Sequence, residues 1–292
     1  METQQENLIL FLIDGLRPDA LAQAHTPVID ELIAYGASTM TARTVMPSIT
    51  LPSIASLVLG APPEVHGITS NTWTNSVPGP GLFEVLARSQ RRVASFYNWE
   101  QLRDLSRPGY LHGSIFLQND TEPHGSGDTQ LIEMATTHLV HARENQTPIN
   151  FTFVYLGHTD AAGHTHGWMS DPYLQAIENA DACIGHMLNT LRGEHENGAP
   201  AGIPTPAPAP NPSFNGETYG VIVVADHGGH NNGHGSEDDV DMTIPLVLYR
   251  HPDFAPGQEI PGPVSITDIA PTVAAWMGVT APANWTGRAL TP

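Results

Sequence analysis

Short runs of apolar, largely β-branched or aromatic residues recur along the chain, and each gives way abruptly to polar residues and glycine. The clearest runs are 8–13, 150–156 and 219–225. Runs of this length bounded by turn residues predict buried strands. Because they show little alternation of apolar and polar positions, they are typical of parallel strands covered on both faces. Further strands are predicted at 92–97 and 244–249.

Segments with helical periodicity lie between these strands. Helices are predicted between 26 and 36, around 50–60, at 82–89 and 128–144, from 171 through 188, and at 267–278. Their starts carry Thr, Asp or Pro, and several end before a glycine, as helix termini commonly do. Strands alternating with helices predict an α/β protein: a three-layer α/β/α sandwich around a mostly parallel sheet.

The stretch 99–127 is rich in Gly and Pro and is predicted to be irregular, with His112 and His124 on the surface. The stretch 198–212 alternates Ala and Pro and is predicted to be an extended exposed loop. Between Asn71 and Asn150 there is room for roughly one more α/β unit, and not for a large inserted cap. We therefore interpret residues 1–292 as a single domain without a large cap insertion.

Composition narrows the classes of function. The formal net charge of -19 argues against nucleic acid as a partner, because phosphate backbones require a basic surface. All 11 basic side chains are arginines, and the chain contains no lysine.

The single cysteine, Cys183, excludes an internal disulfide and fits a reducing compartment. The acidic start lacks the features of a secretory signal, and no apolar run approaches the ~20 residues of a membrane helix. These features predict a soluble cytoplasmic protein.

Three predicted strands are followed by acidic residues and histidines. Asp14 follows the first run, Asp160 and His164 follow the second, and the third is followed by Asp226, His227 and His234. Carboxyl ends of parallel strands meet at one edge of a sheet, where ligands bind. Asp160 and His164 are four residues apart, so one helical turn brings both onto one metal. This mixture of oxygen and nitrogen donors suits zinc, with manganese or iron as alternatives.

Other histidines compete for the same roles. His158 and His166 flank His164 and are interpreted as wall residues. Spacing alone does not choose between His230 and His234. We favour His234, because it lies farther along the loop and can return to a second metal with less strain.

Thr50 and Asn71 each allow two interpretations. Thr50 precedes Pro52 at a predicted helix N-terminus, so it is either an ordinary N-cap or a nucleophile whose alkoxide is stabilised by the helix dipole and a metal. Asn71 is either a turn residue or an amide donor to a reacting oxyanion. Three carboxylates and one alkoxide balance the charge of two divalent cations, an arrangement that suits phosphoryl transfer.

These motifs together resemble the alkaline phosphatase superfamily and, within it, the type I phosphodiesterase/nucleotide pyrophosphatase family. The matching pieces are Ile13-Asp14-Gly15, Pro47-Ser-Ile-Thr50-Leu-Pro52, His66-Gly-Ile-Thr-Ser-Asn71, Asp160-Ala-Ala-Gly163-His164, Asp226-His227-Gly228, His234-Gly235 and Thr267-Asp268-Ile-Ala-Pro-Thr272. They cover nearly the whole chain in the family's order.

The resemblance implies a metal-dependent phosphoric ester hydrolase that acts on small phosphate esters with two divalent ions. One metal would be held by Asp160, His164 and His234, and the other by Asp14, Asp226, His227 and Thr50. Thr50 would attack phosphorus to give a phosphothreonine that water then hydrolyses, while Asn71 would bind a non-bridging oxygen.

Related classes differ from this chain in residue type. Sulfatases resemble it but carry Cys or Ser where Thr50 stands, and similar phosphonoacetate hydrolases use lysines. Monoester phosphatases usually clamp the second charge with Arg or Lys near the nucleophile, and the nearby candidates here are Arg17 and Arg43. We therefore expect a diesterase. A phosphomonoesterase or phosphonate hydrolase is the alternative, and a non-catalytic metal-binding protein is the least favoured.

Overall fold

The computed structural model describes residues 7–73, 79–118, 126–193, 219–251 and 257–291. Its strands are Asn7–Ile13 (β1), Ala37–Arg43 (β2), Val93–Tyr97 (β3), Gly113–Phe116 (β4), Phe151–Leu156 (β5), Tyr219–Val224 (β6), Thr243–His251 (β7) and Gln258–Glu259 (β8). Its helices are Pro18–Leu21 (α1), Pro27–Tyr35 (α2), Thr50–Leu59 (α3), Pro63–His66 (α4), Leu82–Arg88 (α5), Ser126–Glu144 (α6), His158–His166 (α7), Asp171–Arg192 (α8), Asp239–Met242 (α9) and Ile269–Trp276 (α10). Two 3₁₀ turns lie at Glu100–Leu105 and Ile266–Asp268.

The strands of these described residues form one sheet in the order β4-β3-β5-β1-β6-β7-β2-β8. β1 pairs in parallel with β5 on one side and with β6 on the other. β7 runs antiparallel to both β6 and β2, so the sheet is mostly parallel. Helices α2, α6 and α7 each contact α8 in one layer, and α3, α5 and α10 contact one another in another. The predicted three-layer α/β/α sandwich is confirmed.

The strands at the centre of the sheet could be predicted from the sequence because their residues are almost all buried. Every residue of β1 from Leu8 to Ile13 is buried, as are all six residues of β5 and of β6. A strand flanked by partners on both edges and by helices on both faces has few positions that suit a polar side chain. The register places Ile13 opposite Leu156 and Leu12 opposite Val224. The three strands therefore end together at one edge.

The predicted elements differ from the structure mainly at their ends and at the periphery. The last helix is preceded by a 3₁₀ turn, and the N-cap of this turn is Ser265. The Ser265 hydroxyl accepts from the Thr267 amide, and the Asp268 carboxylate accepts from the Ser265 amide. β2, β4 and β8 were not predicted, and β4 lies in the stretch expected to be irregular. His112 is exposed, as expected.

Three other sequence predictions have no structural counterpart to compare. The 198–212 loop and His124 lie outside the described residues, and the single-domain interpretation of 1–292 stays a prediction. In the part of the chain that the structure describes, no helix combines the length and the apolar character needed to cross a membrane.

Candidate active site

All the predicted metal ligands meet at the edge where β1, β5 and β6 end. The Nε2 atom of His234 lies 3.2 Å from Nε2 of His164 and 3.6 Å from Oδ1 of Asp160. The other Asp160 oxygen is 3.4 Å from Nε2 of His164, one turn along α7. These three side chains form one cluster, with its ligand atoms within 4.8 Å of one another.

A second cluster adjoins the first around His227. Its Nε2 atom is 3.3 Å from Oδ1 of Asp14, 3.4 Å from Oδ2 of Asp226 and 3.3 Å from the Thr50 hydroxyl oxygen. Asp160 is also within 4.8 Å of the ligand atoms of Asp14 and His227. The ligand set implied by the resemblance gave Asp160 to one metal, whereas in the structure its carboxylate lies between the two clusters.

The backbone fixes which nitrogen of each clustered histidine carries the proton. Nδ1 lies within hydrogen-bond distance of a carbonyl oxygen in His164 (2.9 Å, Asn232), His227 (2.8 Å, Gly228) and His234 (3.0 Å, Ser48). Carbonyl oxygens only accept, so Nδ1 donates and the Nε2 lone pair faces the cluster.

With Nδ1 protonated, the Nε2 lone pairs of neighbouring histidines face one another. The Nε2 atoms of His164 and His234, 3.2 Å apart, repel each other unless a cation lies nearby. Burial lowers the pKa of His227 and also of His234, where the neighbouring His227 adds to the effect. Both side chains are therefore held in the neutral form that metals bind.

Each of the three carboxylates in the clusters also has one oxygen atom without a hydrogen-bond partner. Oδ1 of Asp14, Oδ1 of Asp160 and Oδ2 of Asp226 are buried and accept no hydrogen bond. Burial, followed by the charges of Asp226 and Asp160, raises the pKa of Asp14 well above its usual value. Burial likewise raises the pKa of Asp160, and that of Asp226 to about 6. Buried carboxylate oxygens of this kind are normally paired or bound to metal, so the residues fit divalent cations.

The remaining oxygens of two ligands are held by the protein. The Tyr155 hydroxyl donates to Oδ2 of Asp14. Oδ1 of Asp226 accepts from the Gly15 amide at 3.1 Å and from the amide of His227 at 3.0 Å. Each carboxylate thus has one oxygen fixed by a hydrogen bond and one turned towards the cluster.

Thr50 is the first residue of α3, and its buried side chain is part of the second cluster. The unpaired amides and the dipole at this helix end favour negative charge. Asn71 lies beside it, and its side-chain oxygen accepts from the Leu51 amide at 2.9 Å. The Asn71 amide nitrogen is thereby left to act as a donor.

His66 holds the loop that carries Asn71. Its Nδ1 accepts from the Ile68 amide at 3.0 Å, so its Nε2–H donates to the Ser56 hydroxyl, which in turn donates to the Pro52 carbonyl. Burial lowers the pKa of His66 to about 4, which keeps the ring neutral. This chain of hydrogen bonds ties the loop to α3.

Trp168 is a site residue that the sequence did not reveal. Its indole N–H donates to the Gly15 carbonyl at 3.0 Å, and its ring meets the edges of His164 and His234, with centroids 5.1 and 5.8 Å apart. A Cβ atom on Gly229 would lie 2.2 Å from the indole, so this position requires glycine. An aromatic residue in a loop carries no sequence signal for this role, and neither does Tyr155 inside a buried strand.

The structure places the competing histidines away from both clusters. Nδ1 of His230 lies 2.8 Å from the buried carboxylate of Asp241. His158 is half-buried and His166 exposed, and neither joins either group of potential ligands among the described residues.

Replacing His234 by alanine is therefore expected to remove about one metal per chain, whereas His230→Ala should retain both. The reason is that, of these two histidines, His234 directs a free Nε2 lone pair into a cluster and His230 does not. Metal analysis of the dialysed variants measures this directly, and swapped losses would contradict the assignment.

Comparison with known proteins places the chain in a family. The sequence profile of type I phosphodiesterase / nucleotide pyrophosphatase matches residues 8–241. Human ectonucleotide pyrophosphatase/phosphodiesterase family member 1 is 27% identical over 202 residues, which cover 63% of this chain and 21% of that protein. The aligned part thus spans about a fifth of that relative's length.

Solved structures share the fold at low sequence identity. An inactive threonine-to-alanine variant of murine ectonucleotide pyrophosphatase / phosphodiesterase 5, in complex with AMP, has a TM-score of 0.70 at 14% identity and covers 95% of this chain and 96% of that chain. A phosphonate monoester hydrolase from Silicibacter pomeroyi has a TM-score of 0.68 at 15% identity, covering 98% and 76%. With the profile extending over most of its length, the chain belongs to the type I phosphodiesterase / nucleotide pyrophosphatase family.

Proposed function

We propose that this protein is a metal-dependent hydrolase of phosphoric esters, that it prefers diesters, and that Thr50 is its nucleophile. The observation that carries the proposal is the convergence of free Nε2 lone pairs and unpartnered carboxylate oxygens beside a hydroxyl at a helix N-terminus. Membership in a family of phosphodiesterases and nucleotide pyrophosphatases supports the same chemistry.

Two divalent cations fit the clusters. Asp160, His164 and His234 would hold one, and Asp14, Asp226, His227 and Thr50 the other, with Asp160 near both. The donor types favour zinc, with manganese or iron as alternatives. When bound, the cations would supply positive charge that favours the Thr50 alkoxide and the departing oxygen.

Thr50 would attack phosphorus in line with the leaving group. The P–O bond to that group breaks and the group departs as an alcohol or phenol, so Thr50 becomes esterified to a phosphoryl group that still carries the other ester substituent of the substrate. Water then hydrolyses the bond between Thr50 and phosphorus, which releases a phosphomonoester and regenerates the hydroxyl. The N-terminal end of α3 favours the negative charge on the Thr50 oxygen. The Asn71 amide, oriented by the bond that its oxygen accepts from Leu51, would donate to a non-bridging phosphoryl oxygen.

The preference for diesters follows from the basic side chains. All 11 arginines fall in described residues, and the two candidates for a clamp are engaged elsewhere. Arg17 binds both carboxylate oxygens of Asp19 and the Gly229 carbonyl. Arg43 binds Asp239 and the Thr243 hydroxyl. A diester carries one negative charge and needs no further cation, whereas a monoester dianion would lack its partner.

The test is a comparison of kcat/KM for bis-(4-nitrophenyl) phosphate and 4-nitrophenyl phosphate on metal-loaded enzyme. We expect the diester to be preferred by at least about tenfold, one decade being about 1.4 kcal/mol of transition-state stabilisation. The panel also includes a nucleoside triphosphate, a phosphonate ester and a sulfate ester. Preference for the monoester or phosphonate would establish the alternative class, and metal binding without any turnover would indicate a non-catalytic protein.

Arg43→Gln serves as the control for this preference. Because Arg43 is engaged with Asp239 and half-exposed, its loss is expected to leave the ratio of the two rates unchanged.

The identity of the metal and the cytoplasmic location stay predictions from the sequence.

A further inference from the structure

Asp128 is a buried carboxylate that lies outside the metal clusters, and its hydrogen-bond partners point to a role in organising those clusters. It lies in the first turn of α6 and is 2% exposed. Its Oδ1 accepts from the side-chain amide of Asn98 at 2.6 Å and from the Gly157 amide at 3.1 Å, and its Oδ2 accepts from the His158 amide at 3.3 Å. All three donors are neutral N–H groups.

Two of these donors belong to the N-terminus of α7, the helix that carries Asp160 and His164. The N-cap of α7 is Gly157, which has no side chain to satisfy the first amides of the helix. Those amides would otherwise be orphaned in a buried position. Asp128 satisfies them from a different helix, and its negative charge complements the positive end of the α7 dipole.

Such help matters because α7 is a weak helix by itself. It has nine residues, and its sequence His-Thr-Asp-Ala-Ala-Gly-His-Thr-His contains few strong helix formers. Isolated helices of this length are marginal in water. The position of α7, and with it the relative position of two metal ligands, therefore depends on contacts from outside the helix.

Asn98 extends the same contact to the sheet. It follows directly after β3, and its amide ties the carboxylate of Asp128 to that strand. A Cβ atom on Gly157 would lie 3.0 Å from the Asn98 side-chain oxygen, so the junction is closely packed. The end of β3, the start of α6 and the start of α7 thus meet at one carboxylate.

We propose that Asp128 is a positioning residue for the metal centre: by capping α7 from outside, it holds Asp160 and His164 where both reach one cation. This rests on the proposed metal-dependent function of the same site. Outer residues that orient ligands typically change metal affinity by about 10- to 100-fold when they are replaced.

Asp181 provides a matched control. It is also 2% exposed, and it accepts from the amides of Val28 at 3.2 Å and Ile29 at 2.8 Å, at the N-terminus of α2. No proposed ligand lies on α2. Asp128→Asn and Asp181→Asn therefore remove the same kind of buried capping carboxylate, and only the first removes it from a helix that carries ligands.

The experiment measures zinc affinity by competition with a chromophoric chelator, and thermal unfolding of the chelated proteins. The site in question is the one lost in His164→Ala. We expect Asp128→Asn to weaken that site by about 10- to 100-fold. Asp181→Asn should leave it within about threefold of wild type, and the unfolding temperatures of the two chelated variants report any general effect on the fold.

Unchanged affinity in Asp128→Asn, or equal weakening in Asp181→Asn, would overturn the proposal. If Asp128→Asn does not fold, Asn98→Ala, which removes one of the three donors, is expected to weaken the same site by about threefold or more, and unchanged affinity there would overturn it equally. Failure of the proposed function is separately visible, because the wild-type protein would then bind no zinc or turn over no ester.

Discussion

Replacing Thr50 by alanine is expected to lower kcat by roughly a thousandfold or more, because the variant lacks the atom that we propose forms the covalent bond to phosphorus. The fold should be spared. The Thr50 hydroxyl contacts His227 at 3.3 Å and caps no backbone group, and alanine suits the first position of a helix. Turnover of an aryl diester by metal-loaded enzyme, together with the urea midpoint, measures both effects.

Thr50→Ser is the matched control, since serine restores a hydroxyl at the same place. It is expected to recover most of the activity lost in the alanine variant. Acid quenching of the wild type during turnover of bis-(4-nitrophenyl) phosphate, followed by peptide mass spectrometry, should find a 4-nitrophenyl phosphoryl group on the peptide that contains Thr50. Retention of more than about a hundredth of wild-type kcat by Thr50→Ala would exclude covalent catalysis by this residue.

Metal removal is expected to abolish turnover and to leave Asp226 with a contribution to stability that falls as the pH rises. In the metal-free state the pKa of Asp226 is about 6, against 3.8 for the ordinary group. At this group the folded protein therefore binds more protons than the unfolded chain between these values, so the contribution of Asp226 to the free energy of unfolding decreases from about pH 4 to about pH 6 and stays low above. The lowered pKa of His66 acts in the opposite direction, so the contribution of Asp226 is isolated by comparison with a variant. Two pKa units correspond to about 3 kcal/mol. Asp14 acts in the same direction.

Asp226→Asn separates stability from function. The asparagine oxygen can still accept from the Gly15 and His227 amides, and the buried charge is gone. At pH 8 the chelated variant is expected to be more stable than the chelated wild type by about 3 kcal/mol, yet zinc should restore no activity to it. At pH 4 the difference should nearly vanish, because Asp226 is then largely protonated in the folded wild type. A chelated variant less stable than wild type at pH 8 would contradict this account.

The sequence sufficed to predict the centre of the sheet, because strands buried on both faces appear as uninterrupted apolar runs. The same runs pointed to the candidate ligands, since each run ends at a polar side chain, as at Asp14 and Asp226. The edge strands carried no such signal. β4 has four residues, two of them exposed, and β2 is rich in Ser and Thr, with several side chains only half-buried. Pairing with neighbouring strands stabilises these edge strands, and their local sequence does not encode that pairing.

The site residues that the sequence missed act through contacts between distant positions. Tyr155 reaches Asp14 across 141 positions, Trp168 reaches Gly15 across 153, and Asp128 reaches Gly157 across 29. Their types are ordinary for a strand, a loop and a helix start. Only the packed structure distinguishes a tyrosine that fixes a ligand from one that fills the core.

The position of β1 between β5 and β6 constrains when the protein can mature during synthesis. β1 is made first, but both its partners come late, and the hydrogen-bonded pair Gly15 and Asp226 is separated by 211 positions. Closing loops of this length is slow, and until then β1 presents two unpaired edges that are prone to aggregation. The complete set of ligands cannot assemble before His234 has left the ribosome. Binding of the proposed metals would therefore be a late event, and a chain that holds both of them would already have closed its central sheet.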